Sequence, residues 1–177
     1  MSSFVKLSEA TASNSGSVSL TGITSNFNSC ILFYSDVVPA TDGADLQFRL
    51  VESGGVNSNS NYTYGIAYCR SDRAFISASG DQLAAAGRDK FPLSGSADNS
   101  STSGQAGKIS IHTASNSSEN THVVISNSYL SSGGTQIDIG QFLGGVLKEQ
   151  TAVTGVSIFF DTGNISKGNF VLFGIKE

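Results

Sequence analysis

The chain has 177 residues, of which 38% are hydrophobic and only 14% charged, with a formal net charge of -4. That length suits one domain that buries roughly two-thirds of its unfolded surface, and a charged share below the usual ~25% leaves the surface to uncharged Ser, Thr, Asn and Gly. A net negative molecule is poorly suited to phosphate backbones and anionic headgroups, and no apolar run approaches the ~20 residues of a spanning helix or the pattern of a signal peptide. Nucleic-acid binding, membrane association and signal-directed export are therefore not expected.

Period-two alternation dominates from the N-terminus onward. Strands are expected at Phe4 to Leu7, around Val18 and Leu20, and at Cys30 to Val37. From Asp45 to Leu50, the apolar Leu46, Phe48 and Leu50 alternate with Asp45, Gln47 and Arg49, as in a strand with one buried and one wet face. Tyr62, Tyr64, Ile66 and Tyr68 alternate with the small Thr63, Gly65, Ala67 and Cys69. Further strands are expected at Ala74 to Ala78, Lys108 to His112, His122 to Ser126, Gln136 to Ile139, Gly155 to Phe160 and Asn169 to Ile175. The runs at Cys30 and Asn169 are apolar on both faces. Such strands belong at the centre of a sandwich, or have one face on the second sheet and the other on a neighbouring subunit.

Turn formers punctuate these runs at Asp42-Gly43, Ser53-Gly54-Gly55, Gly80, Ser132-Gly133-Gly134, Gly144-Gly145 and Thr162-Gly163-Asn164. Pro39 and Pro92 fall where strands should already have ended. Asp81 to Ala86 suggests a short helix capped by Asp81 and stopped by Gly87, while a second helical candidate near Gln141 to Glu149 is broken by its glycines. The expected fold is all-β: a single-domain, jelly-roll-like antiparallel β-sandwich over residues 1–177, with a mobile polar loop near 94–105. Cys30 and Cys69 lie inside apolar runs and are read as buried thiols, with a disulfide as the alternative.

Residue types for chemistry are sparse. His112 and His122 can meet across a hairpin and hold a metal or pass a proton, but without a third ligand they form an incomplete site, so no metal is assigned. No Gly-x-Ser-x-Gly elbow is present, the carboxylates Asp36, Asp42 and Asp45 lack the ligand spacing of a calcium loop, and Gly140 to Gly145 lacks the order of a phosphate loop. No catalytic residue and no cofactor are expected. The tyrosine row Tyr62, Tyr64 and Tyr68 is read first as core. A subunit interface or a ligand platform for sugar rings is the alternative, since each ring has a flat apolar body and a polar tip.

The last stretch, AVTGVSIFFDTGNISKGNFVLFGIK from Ala152 to Lys176, resembles the ending of small bacteriophage virion structural proteins. The matching residues are Val153, Gly155, Val156, Gly163, Asn164, Ile165, Gly168, Phe170, Leu172, Gly174, Ile175 and Lys176. Phe4-Val5-Lys6-Leu7, Val18, Leu20, Thr21-Gly22-Ile23 and Phe27 are similar to the opening of the same group, whereas the middle, from about Thr41 to Gly145, matches only in style. The resemblance implies a β-sandwich on a virion, made in the host cytoplasm and often a homotrimer. It would be a non-enzymatic capsid decoration protein bound to the major capsid protein. The alternative is a tail or fibre component that binds a receptor or host surface glycan. Read physically, the ending is a hairpin: Val156 and Ile158 lead out, Asp161 to Lys167 turns, and Phe170, Leu172 and Gly174 return.

Overall fold

The computed structural model describes residues 3–71, 73–76, 84–132 and 138–176. In chain order the strands are β1 (Ser3–Ser15), β2 (Val18–Thr21), β3 (Ser29–Pro39), β4 (Leu46–Glu52), β5 (Gly55–Val56), β6 (Tyr62–Arg70) and β7 (Arg73–Ile76). They continue with β8 (Ala84–Arg88), β9 (Phe91–Pro92), β10 (Gln105–His112), β11 (Thr121–Leu130), β12 (Asp138–Leu147), β13 (Val153–Phe160) and β14 (Ile165–Lys176). Among the described residues, a large sheet runs β1-β14-β3-β10-β11-β12-β6-β7, with β8 also on β6, and a smaller one runs β2-β13-β4-β5, with β9 also on β4. All these pairings are antiparallel. The chain passes repeatedly from one sheet to the other, so the two layers form one antiparallel β-sandwich of the expected class.

Alternation explains which side of each strand is covered. Leu46, Phe48 and Leu50 of β4, Leu20 of β2, and Val156 and Ile158 of β13 are fully buried. They face Leu32, Ile109, Ile125, Phe170 and Leu172 of the large sheet across one continuous core. Phe91 plugs one end of that core. Its ring lies 5.1 Å from Phe48, 4.8 Å from Tyr62 and 6.2 Å from Tyr64, centroid to centroid. Gly145 makes room for it, because a Cβ there would stand 2.6 Å from the Phe91 ring.

Several expectations need correction. Ala84 to Ala86, read as helix, are the start of strand β8 paired with β6; residues 81–83 lie outside the described residues, as do Gly80 and the Gly133-Gly134 turn. β8 forms because β6 offers an open edge whose ladder bonds outweigh alanine's small intrinsic preference for helix. The Gly144-Gly145 pair is no turn; it lies inside β12, which pairs with both β11 and β6. Pro39 and Pro92 are the last residues of β3 and β9 and so lie inside strands, at ends where a missing N–H costs least. The C-terminal hairpin is not formed: β13 belongs to the small sheet and β14 to the large one, so Asp161 to Asn164 is a corner between layers. Gln47, placed on a wet face by alternation, is only 7% exposed.

The polar segment 94–105 is tied at Ala97. That residue is fully buried and bridges both Ala44 and Ser131, and the Asp98 N–H donates to the Leu130 carbonyl at 3.0 Å. Cys30 and Cys69 are both free thiols; Cys30 is buried, which pushes its pKa up to about 11, whereas Cys69 is half-buried. No helix among the described residues is long and apolar enough to cross a membrane.

Candidate interaction surface

The ladder registers fix which residues share the outer face of the large sheet. One row runs Lys6, Phe173, Ile31, Ser110, Val124, Gly144, Gly65 from β1 to β6. The next runs Glu9, Val171, Phe33, Lys108, Ser126, Phe142, Ala67 along the same strands. Directly opposed residues point the same way, so these rows are contiguous. Phe33, Val124 and Phe142 are 43%, 54% and 56% exposed, and Phe4, opposite Ile175, is 63% exposed. The runs at Cys30 and Asn169, expected to be apolar on both faces, are β3 and β14 of this sheet; on its outer side they place Phe33 exposed and Ile31, Val171 and Phe173 half-buried.

Two features shape the face. On the β1 side the aromatics meet edge to face, with Phe173 lying 6.3 Å from Phe4 and 6.1 Å from Phe33. On the β6 side a concavity of about 710 Å³ lies between Val124 and Phe142, floored by Gly65, Ala67 and Gly144 with Lys108 at its rim. Gly144 has open space where a Cβ would stand, so the hollow owes its depth partly to missing side chains. In these two rows charge is carried by Lys108 and by the Lys6–Glu9 ion pair at the β1 edge, 3.1 Å apart.

The tyrosine row has another place. Tyr62 is fully buried and Tyr64 is 7% exposed; the Tyr62 hydroxyl donates to the Asn57 carbonyl at 2.9 Å and accepts from the Leu50 N–H at 3.1 Å. Both rings sit on the inner side of β6, beneath Phe91, where a sugar or a partner has no access to their faces. Tyr68 is half-buried and packs against the same core. The alternation of β6 that aligned these rings also dictates their burial, and the exposed side of the strand is the small-residue one: Gly65, Ala67 and Cys69. Sequence reasoning missed Phe142, which lies between glycine signals that suggested a break.

His112 and His122 do meet, as directly opposed residues of the β10–β11 pair, and both are exposed. Ser29 Oγ lies 3.4 Å from His112 Nδ1. Among the described residues no carboxylate is bonded to either imidazole, and no cluster of three or more His, Cys, Asp or Glu is poised around an ion. The three turn carboxylates go separate ways. Asp36 pairs with Lys167 at 2.8 Å, and Asp45 accepts from the Ser96 N–H at 2.6 Å, its pKa raised chiefly by burial. Asp42 is an exposed turn residue. At one end of the sandwich, Glu149 accepts from Asn57, Asn59 and Asn61, and Glu52 accepts from Asn57 and Thr151, so both carboxylates are already occupied in closing loops.

No protein-family model matches the chain, and no curated protein matches it. Among solved structures, a crystal structure of the marine PL-14 alginate lyase from Aplysia kurodai is similar at a TM-score of 0.35 with 14% identity, covering 87% of this chain and 71% of that one. Likeness of that degree carries no argument about activity.

Proposed function

We propose that the protein is a non-enzymatic structural subunit of a phage virion, a capsid decoration protein that self-associates and seats on neighbouring shell proteins through the outer face of its large sheet. The observation that carries this reading is the run of Phe4, Phe173, Ile31, Phe33, Val124 and Phe142 across that face. A solvated sheet face normally alternates to polar residues, and here two apolar groups, Phe4, Phe173, Ile31 and Phe33 on one side and Val124 and Phe142 on the other, flank Ser110 and Lys108 of β10, the kind of exposed apolar surface that marks a contact. Covering the part of each large side chain that is still exposed contributes about half or less of the ~1.5–3 kcal/mol of a full burial. The resemblance of both chain ends to phage virion proteins supplies the setting, and a low-charge surface of hydroxyl and amide groups suits packing against other subunits.

Light scattering on the purified chain tests the association. A homotrimer is expected, and Phe142→Glu or Phe33→Glu should shift it to monomer with unchanged circular dichroism. A wild-type chain that stays monomeric at its highest soluble concentration would overturn self-association. Imaging of the particle then separates the locations: many symmetric copies on the shell fit decoration, and a few copies at one vertex would reassign the chain to the tail or fibre.

A further inference from the structure

We propose that His112 and His122 form a two-imidazole chelate for a divalent first-row transition ion, of which Ni²⁺ and Zn²⁺ are representative. The register sets the two residues directly opposite each other near the closed end of the β10–β11 pair, and both are exposed on the outer face. Opposed residues on one face have Cβ atoms about 4.5–5.5 Å apart. Two imidazoles at that spacing can converge on one ion at metal–nitrogen distances of about 2.0–2.1 Å.

The backbone at the hairpin end is held, which fixes the register that sets the two residues opposite each other. Thr113, at φ 59°, donates through Oγ1 to the Asn120 carbonyl at 2.6 Å, which closes the base of the loop. The following residue, Ala114, is fully buried; its N–H donates to the Asn28 carbonyl at 3.2 Å and its carbonyl accepts from the Val153 N–H at 2.7 Å. Ser29 sits on the far side of His112, with its Oγ 3.4 Å from Nδ1. A ring that donates Nδ1–H to Ser29 presents Nε2 as the ligand atom, the usual arrangement in which an outer hydrogen bond fixes tautomer and ring orientation. Ser29 is thus a positioning residue. Water completes the coordination, so the site is open and exchangeable, and borderline ions that favour imidazole are preferred over Ca²⁺ or Mg²⁺.

Calorimetric titration of the tag-free chain with Ni²⁺, repeated with Zn²⁺, tests the assignment. One ion per chain is expected. His112→Ala and His122→Ala should each weaken binding by at least about tenfold, since loss of one of two imidazoles removes the chelate, and Ser29→Ala should weaken it less. All of these positions are exposed or half-exposed, and an unchanged melting temperature will show that the variants fold. Cys69→Ser should bind as the native chain does. The proposal is overturned if the native chain takes up no Ni²⁺ at millimolar metal, if the double His variant binds as tightly as the native chain, or if the thiol substitution abolishes binding.

Discussion

Phe91 and Phe142 are the same side chain in opposite situations. Phe91 is fully buried at the end of the core, ringed by Phe48, Tyr62 and Tyr64, whereas Phe142 stands 56% exposed on the outer face of the large sheet. Between them lies the thickness of one sheet: Gly145, three residues beyond Phe142 and on the opposite side of β12, leaves the space that Phe91 fills. The inner face is apolar and covered by the opposing sheet, whereas the outer face leaves Phe4, Phe33, Val124 and Phe142 exposed. Under the proposed function, stability and association reside on opposite sides of the same strands.

The sharpest way to break that comparison is to truncate each ring. Phe91→Ala should cost about 3–5 kcal/mol of folding stability, the cost of deleting a fully buried aromatic and leaving a cavity. It will be read as a lowered midpoint in urea denaturation. Phe142→Ser should leave the midpoint of the isolated chain within about 0.5 kcal/mol of native, as exposed positions usually do, while weakening self-association. Equal losses at the two positions would mean that the two faces are not divided as described.

Gly107→Ala should come next in size. A Cβ at that position would meet the Tyr34 hydroxyl at 2.6 Å, Asn127 Cβ at 2.7 Å and the Ser126 carbonyl at 2.7 Å. Tyr34 and Asn127 are its cross-strand neighbours on β3 and β11, so the large sheet would have to spread to admit a methyl group. Overpacking of this kind costs about 1–3 kcal/mol, measurable by the same denaturation. Gly144→Ala, on the same sheet but with open space at its Cβ, should cost far less. Its effect belongs to the concavity it helps to floor, and it should appear in self-association.

These glycines also show what a linear reading can and cannot supply. The alternation of Leu46, Phe48 and Leu50 placed them in a core, and that of Tyr62 and Tyr64 put them on one side of β6, with core as the first reading; the burial of both rings decides between core and the interface or ligand alternatives. The two-sided apolar runs at Cys30 and Asn169 left open a central position in the sandwich or a face on a neighbouring subunit; β3 and β14 are interior strands of the large sheet, and Phe33 of β3 is exposed on the outer face. Gly144 and Gly145 misled, since a glycine pair reads as a turn unless the close approach of Phe91 from a distant segment is known. Ala84 to Ala86 misled for a related reason: local preference favours helix, and only the edge of β6 makes a strand the better outcome. Nothing in the rhythm of β13 and β14 says that consecutive strands lie in different sheets, because periodicity reports sidedness and not partnership. His112 and His122 were legible as a pair, their register following from the loop between two strands; Ser29, from a third strand, was not.

The smallest expected effect lies at neither face but at the end of the sandwich, where Glu149 accepts from Asn61 at 3.0 Å, Asn57 at 2.8 Å and Asn59 at 3.4 Å. Those amide donors hold its carboxyl below the ordinary glutamate range, the Asn61 and Asn57 bonds contributing most. A carboxylate whose folded pKa is depressed adds stability that is fully present above its unfolded pKa, about 4.3, and is lost as pH falls through the lower folded value. The melting temperature should therefore be insensitive to this group at neutral pH and decline in acid. Glu149→Gln keeps an oxygen for the asparagines but removes the titration, so the variant should lose slightly at neutral pH and show a shallower acid decline than the native chain. Parallel curves for the two proteins below pH 4.3 would show that the loop closure does not depend on the charge. Because the site is partly solvated, the difference should be small beside that of Phe91→Ala, which is what a fold held by its inner face, and only trimmed at its ends, requires.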